Sequence, residues 1–282
     1  MFPAVDTSDP VAVEAEVQKA YLAMYPRAGH QFVPRAFGWV IESFSGGYAD
    51  YQPVDALYHD LEHTLQGTLC MVRLLHGRFR AGAQPEIPQR LLELGLLAIL
   101  LHDTGYLKRR DDTVGTGAKY TLTHVNRSAG FAHQLLSEKG FSDEDIASVQ
   151  HMIRCTGINV NLAAIPFKND VERLVGYALG TCDLLGQMAA VDYVEKLPIL
   201  YAEFAEAAAY SGRLAGGPFS SAEDLIAQTP GFWRNYVLVR VTGEFGSLHR
   251  FLEDPYPGGR NCYLEAIEAN IARLPQPKPG AA

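Results

Sequence analysis

The sequence predicts an all-α protein, on three observations. Apolar residues recur at helical spacing over most of its 282 residues. No series of alternating apolar and polar residues, the mark of half-buried strands, interrupts them. Turn signals separate the periodic stretches: GRFRAGAQPEIP, KGFSDED and SGRLAGGPFSSAED.

The first two helices are expected over 11–24 and 34–43. The third, 54–77, has a core side marked by Leu65, Leu69, Val72 and Leu75. The fourth, 88–102, contains the stretch Leu91 to Leu101, apolar but for Glu93, and ends on His102. Helices follow over 124–139 and 143–155, the latter with Ser142 as N-cap and acidic residues in its first turn. A strongly apolar helix is expected over 169–190, then 193–211, 221–228, 231–241 and 263–274. The expected organisation is N-terminal helices packing on the core (1–53), a main core (54–211), to which the motifs below assign metal binding and catalysis, and a C-terminal helical cap (212–274). The Gly-rich 211–220 segment forms the seam, and the tail PQPKPGAA (275–282) is expected to be disordered.

Composition narrows the function. A net charge of −8 argues against a general nucleic-acid-binding surface, which relies on clustered Lys and Arg. The N-terminus has neither a basic nor an apolar targeting region, and the run Leu96 to Leu101 is far short of a bilayer span, so the expected location is cytoplasmic, with no membrane partner. Cys70, Cys155, Cys182 and Cys262 lie far apart without a C-x-x-C pair and read as buried small residues.

The chemistry gathers on histidines and carboxylates. In LLAILLHDTGY six apolar residues run directly into His102 and Asp103, two groups costly to bury unless paired, and Gly105 then permits close backbone approach. His59 and His63 in YHDLEHT stand four apart, so on one helix both imidazoles would share a face. His124 opens one helix, His151 lies inside another, and Asp183 lies within the apolar GTCDLLGQM. Each alone reads equally well as a hydrogen-bonded structural group. Together they are nitrogen and oxygen ligands from several helices.

Over roughly 54–195, the stretches YHDLEHT, LLHDTGY, THVNRSA and GTCDLLGQM resemble the HD-domain superfamily of metal-dependent phosphohydrolases. The resemblance implies an HD-domain helical bundle with additional N- and C-terminal helices. It assigns His63, His102, Asp103 and Asp183 to one metal, with Asp103 bridging to a second held by His124 and His151. The implied cofactor is one or two divalent transition ions (Mn, Fe, Ni, Co or Zn), in keeping with mixed His and carboxylate ligation. Tyr58-His59-x-x-x-His63 is similar to the Tyr-His-Asn-x-x-His motif of cyclic-nucleotide phosphodiesterases. By that likeness His59 is the general acid and Asp103 its catalytic companion at the metal, while Asp60 replaces the asparagine. That family's additional histidine and downstream asparagine are missing. Leu107 stands where cyclic-di-GMP hydrolases have proline. QTPGFWRNYV and NCYLEAIE resemble C-terminal extensions of bacterial HD-domain proteins.

Arg127, Arg154, Lys119 and Gln187 are the expected substrate-binding residues. Lys108, Arg109 and Arg110 read as a solvated helix end, and 111–121 as a mobile loop over the cleft. The expected function is hydrolysis of a nucleotide-sized phosphomonoester or phosphodiester through a metal-activated hydroxide. The expected partner is a small phosphorylated molecule such as a nucleotide, and a homodimer is allowed. One alternative is a mixed-valent diiron oxygenase of the same superfamily, like myo-inositol oxygenase. The other is a non-catalytic nucleotide- or metal-binding sensor.

Overall fold

Asp9 starts the first helix: its carboxylate accepts from the Val11 amide, and Pro10 takes the first helical position, giving α1 (Pro10–Met24). The computed structural model describes residues 2–158, 160–212 and 219–275. It continues with α2 (Phe32–Phe44), α3 (Leu61–Arg80), α4 (Gln89–Leu101), α5 (His124–Glu138), α6 (Asp143–Ile153), α7 (Asp170–Met188), α8 (Tyr193–Tyr210), α9 (Ala222–Phe232) and α10 (Cys262–Arg273). Ser142 caps α6 as expected, accepting from Asp145 N, and Asn169 caps α7 through the Val171 and Glu172 amides. The one sheet among the described residues is a two-residue antiparallel ribbon, Glu253–Asp254 against Arg260–Asn261. The fold is all-α.

Helices α3 and α7 cross at the centre. A Cβ on Gly186 would lie 2.8 Å from the Gln66 carbonyl oxygen and 2.9 Å from Gly67 Cα, so the backbones approach as closely as glycine allows. Around this crossing, α1 packs on α3, α4 on both α3 and α7, and α10 on α7. A single apolar core includes Val13, Val17 and Phe37 from the N-terminal helices and Trp233, Phe245 and Ile267 from the C-terminal segment. This core draws on residues from each of the three expected segments. Phe131, Met188, Tyr193 and Trp233 are buried and Tyr177 packs against them, as expected of core residues.

Two elements depart from expectation. The third helix begins at Leu61 rather than residue 54, because Asp60 caps it: Asp60 Oδ1 accepts from His63 N at 2.9 Å. Before that cap the chain is irregular, and Val54 N bonds to the Phe44 carbonyl. The break expected between 228 and 231 does not occur. α9 runs through Pro230, and the chain continues into π-helical turns over Trp233–Val237 and Arg240–Glu244, the wider register absorbing the disturbance. The expected tail beyond Pro275, and residues 213–218 of the expected seam, lie outside the described residues. Among the described residues no single helix is long and apolar enough to cross a membrane. Cys70, Cys155 and Cys182 are buried, whereas Cys262 is half-buried, and all four are free thiols.

Candidate metal centre

The buried helix α4 delivers His102 as its C-cap, followed at once by Asp103. His102 Nδ1 donates to the Ile99 carbonyl at 2.6 Å, which fixes the tautomer and leaves the Nε2 lone pair facing the interior. There His102 Nε2 lies 3.3 Å from both Asp103 Oδ2 and Asp183 Oδ1. His63 arrives from α3, its Nε2 3.1 Å from Asp103 Oδ2 and 3.3 Å from Asp183 Oδ1. The close α3–α7 crossing brings His63 and Asp183 to this distance. His124, at the start of α5, repeats the His102 device. Its Nδ1 donates to the Thr121 carbonyl at 2.6 Å, and its Nε2 stands 3.8 Å from Asp103 Oδ1. The approach of α5 depends on Gly105, where a Cβ would lie 2.0 Å from the His124 carbonyl oxygen.

Two imidazoles and two carboxylates are thus buried together, with His102 and Asp103 only 1% and 2% exposed. Burial opposes charge on His63, but Asp103 and Asp183 outweigh it and raise its pKa to about 10. For His102 burial is likewise overcome, by Asp103 and Asp183, and its pKa is also raised. Burial would raise both carboxyls, yet His102 and His63 hold Asp103 and Asp183 well below the usual range. For His124 burial prevails, and its pKa is lowered. A proton on His63 thus stands between two carboxylates where a cation would.

That proton does not satisfy the cluster. His102 Nε2 and Asp103 Oδ2 are buried without a hydrogen-bond partner, although ion-pair distances surround them. Ligand atoms of His63, His102 and Asp103 all lie within 4.8 Å of one another. Converging lone pairs on nitrogen and oxygen, unsatisfied and shielded from water, fit a divalent transition ion. His63, His102, Asp103 and Asp183 could hold it.

Beside the cluster lies a second arrangement. His59 precedes α3, so it does not share a helix face with His63, although their rings stand 5.3 Å apart. Its carboxylate partner is not the adjacent Asp60, which is spent on the cap, but Glu203 from α8, with His59 Nδ1 and Glu203 Oε2 2.5 Å apart. Glu203 Oε1 also accepts from Tyr58 N at 2.8 Å. Burial would raise the Glu203 pKa, but its bonds with His59 outweigh this and lower it. The His59 ring stacks on Tyr106 at 4.4 Å, and Tyr106 on His124 at 4.9 Å, while the two imidazoles lie 6.2 Å apart, so the three rings form one trio about Tyr106. The Tyr106 hydroxyl is buried without a hydrogen-bond partner.

A family model described as Npun_R2479-like matches residues 12–253. The chain belongs to the Npun_R2479-like family. No curated protein matches it. The span matched by the Npun_R2479-like family contains every residue of the cluster and of the ring trio, whereas α10 lies outside it.

Other residues of that span do not join the cluster. His151 binds Glu172 through Nδ1 at 2.8 Å. Glu172 lies eleven residues before Asp183 on α7, roughly 16 Å of helix rise, so His151 is held well away from Asp183. Lys119 is spent on Asp112 and the Val114 carbonyl. Arg127 donates to the Gly105 and Leu107 carbonyls, both at 2.7 Å, with its guanidinium 3.5 Å from the centre of the Tyr120 ring. Gln187 accepts from the Tyr58 hydroxyl at 2.8 Å and bonds to the Asp183 carbonyl, so it supports the site without offering a free group. Arg154 lies half-buried in the turn that follows α6, beyond His151.

Of the Lys-Arg-Arg run, Arg109 and Arg110 are exposed, as a solvated end would be, but Lys108 is not. Lys108 is buried on Asp55 and the Gly115 carbonyl, and Arg109 lies over Tyr51. These bonds, with Thr116 on Glu206 and Gly117 N on Asp55, tie down the loop expected to be mobile. Glu203 is the residue of the candidate site that sequence reasoning missed. Its signal was a carboxylate inside the buried stripe of α8 marked by Tyr193, Leu197, Ala207 and Ala208.

Proposed function

We propose that the chain is a metal-dependent phosphohydrolase in which His63, His102, Asp103 and Asp183 hold one divalent transition ion (Mn, Fe, Co, Ni or Zn). The observation that carries this reading is the orphaned pair His102 Nε2 and Asp103 Oδ2, buried beside an imidazole that is itself oriented by a carboxylate. The order of the ligands along the chain, similar to that of HD-domain phosphohydrolases, supports it. When bound, the ion would polarise a phosphoryl oxygen and lower the pKa of a water.

The chain's own residues supply the rest. Asp103 and Asp183 set the charge of the centre, and the carbonyls of Ile99 and Thr121 aim His102 and His124. Glu203 holds Nδ1 of His59, which leaves Nε2 to protonate the departing oxygen. Tyr106 fixes the plane of that ring. Arg127 and Lys119 are committed to backbone and loop contacts, so neutralising the phosphate falls to the ion.

The test couples elemental analysis of protein purified without chelator to turnover of paired esters. A methyl ester needs its leaving oxygen protonated, whereas a p-nitrophenyl ester does not. His59→Ala should slow the methyl ester by about 10²- to 10⁴-fold and the nitrophenyl ester far less. Asp103→Ala should abolish ion binding and turnover. Retention of the ion by Asp103→Ala would sink the assignment, as would oxygen uptake without released phosphate, the outcome for a diiron oxygenase.

A further inference from the structure

Independently of the metal centre, we propose that a groove between α3, the end of α7 and the start of α10 binds a small organic oxyanion, a carboxylate or phosphate on a short apolar body. The groove encloses about 200 Å³, smaller than typical cofactor sites and suited to a small ligand. Arg73 of α3 lines it and makes no ion pair with the described residues. Its Nη1 donates to the Tyr263 hydroxyl at 3.1 Å, its Nη2 to the Pro3 carbonyl, and the Phe2 ring lies 5.2 Å from the guanidinium. Its Nε is buried with no acceptor.

Nε and Nη2 form one edge of the guanidinium, the edge that a carboxylate or phosphate meets with two oxygens. The Pro3 carbonyl brings a single oxygen to that edge, and Nε goes without. The N-terminal segment thus stands in for half of an oxyanion. A ligand that replaced Pro3 would satisfy both donors and neutralise a half-buried cation. The remainder of the groove, Leu69, Ala189 and Ala266, accepts a short apolar body. At its inner end Gln66 and Ala190 line both this groove and a small cavity against His63, so a ligand seated here lies one side chain from the candidate metal centre.

Cys262 also lines the groove and is the cysteine that is not fully buried, which makes it a native reporter. The experiment measures Cys262 modification by methyl methanethiosulfonate, and calorimetric binding to the full chain, with butyrate, inorganic phosphate and uncharged butyramide as probes. Protection and heat with butyrate identify a carboxylate ligand, with phosphate alone a phosphate ligand, and either supports the site. Arg73→Gln should weaken binding by about tenfold or more. Ala266→Phe, which fills the groove and leaves Arg73 intact, should abolish the heat even if Arg73→Gln fails to fold. The proposal is overturned by absence of heat with both anions, by butyramide binding as well as butyrate, or by undiminished binding to Ala266→Phe.

Discussion

Replacing Gly105 by alanine tests whether one close backbone contact holds the turn after His102 and Asp103 against α5. The added methyl would lie 2.0 Å from the His124 carbonyl oxygen, 2.7 Å from its carbon and 2.8 Å from Ser128 Oγ. Ordinary contact begins near 3.4 Å, so the turn and the helix must separate by more than about 1 Å in a close-packed interior. Three hydrogen bonds cross that gap: Gly105 N to Ser128 Oγ at 2.8 Å, and Arg127 to the Gly105 and Leu107 carbonyls at 2.7 Å. Overpacking costs about 1–3 kcal/mol, and each strained bond about 1 kcal/mol. A loss of about 4–6 kcal/mol is therefore expected in urea denaturation. The same separation would pull His124 from Asp103 and from the Tyr106 ring, so the proposed turnover should fall with stability. Gly130→Ala, on the same helix with nothing within 4 Å of the added carbon, is the matched control and should be neutral or stabilising by up to about 1 kcal/mol. A Gly105→Ala protein within about 1 kcal/mol of wild type, with unchanged turnover, refutes the reasoning.

Three further outcomes are expected. His151→Ala should leave the ion content of the cluster unchanged while costing about 1–3 kcal/mol, because it strands the buried Glu172 carboxylate; loss of an ion would restore His151 as a ligand. In ligand-free protein, the raised His63 pKa contributes stability that is full below the ordinary value of 6.5 and is lost as pH rises towards 10, whereas the depressed Asp103 and Asp183 contribute stability above 3.8 that is lost as pH falls. Tm of chelated protein should thus be highest between those ordinary values and decline on the alkaline side, and a flat alkaline profile contradicts the ion-pair account. Lys119→Met should make the segment 111–118 the first point of proteolysis, because Asp112 and the Val114 carbonyl lose their common donor; unchanged resistance would show that the Glu206 and Asp55 bonds suffice.

The helices were legible because burial imposes a period on the sequence, and LLAILLHD was legible because two polar groups at the end of a buried run must meet partners. The structure brings His63, His102, Asp103, Asp183 and His124 together as their order along the chain suggested. The failures share one cause: the same residue type serves equally well in local bonding. Asp60 reads as a neighbour of His59 and acts as a cap, a choice made by backbone direction. Arg127 and Lys119 read as phosphate ligands and are consumed by carbonyls and a carboxylate that lie elsewhere in the chain or in a loop. Glu203 lies 144 residues from His59, and no local pattern links them.

The contact between Gly67 and Gly186 also has a mechanical meaning. The gap between His63 and Asp183 is inherited from two helices already touching backbone to backbone, so the proposed ion could not draw either side chain inward by demanding shorter bonds. The crossing acts as a calliper with a fixed stop. Discrimination among ions by radius would then reside in two residues that have no side chains and never touch the ion. With the proposed ion bound, widening that stop with alanine would move His63 and Asp183 apart and shift the preference towards larger ions without removing either group.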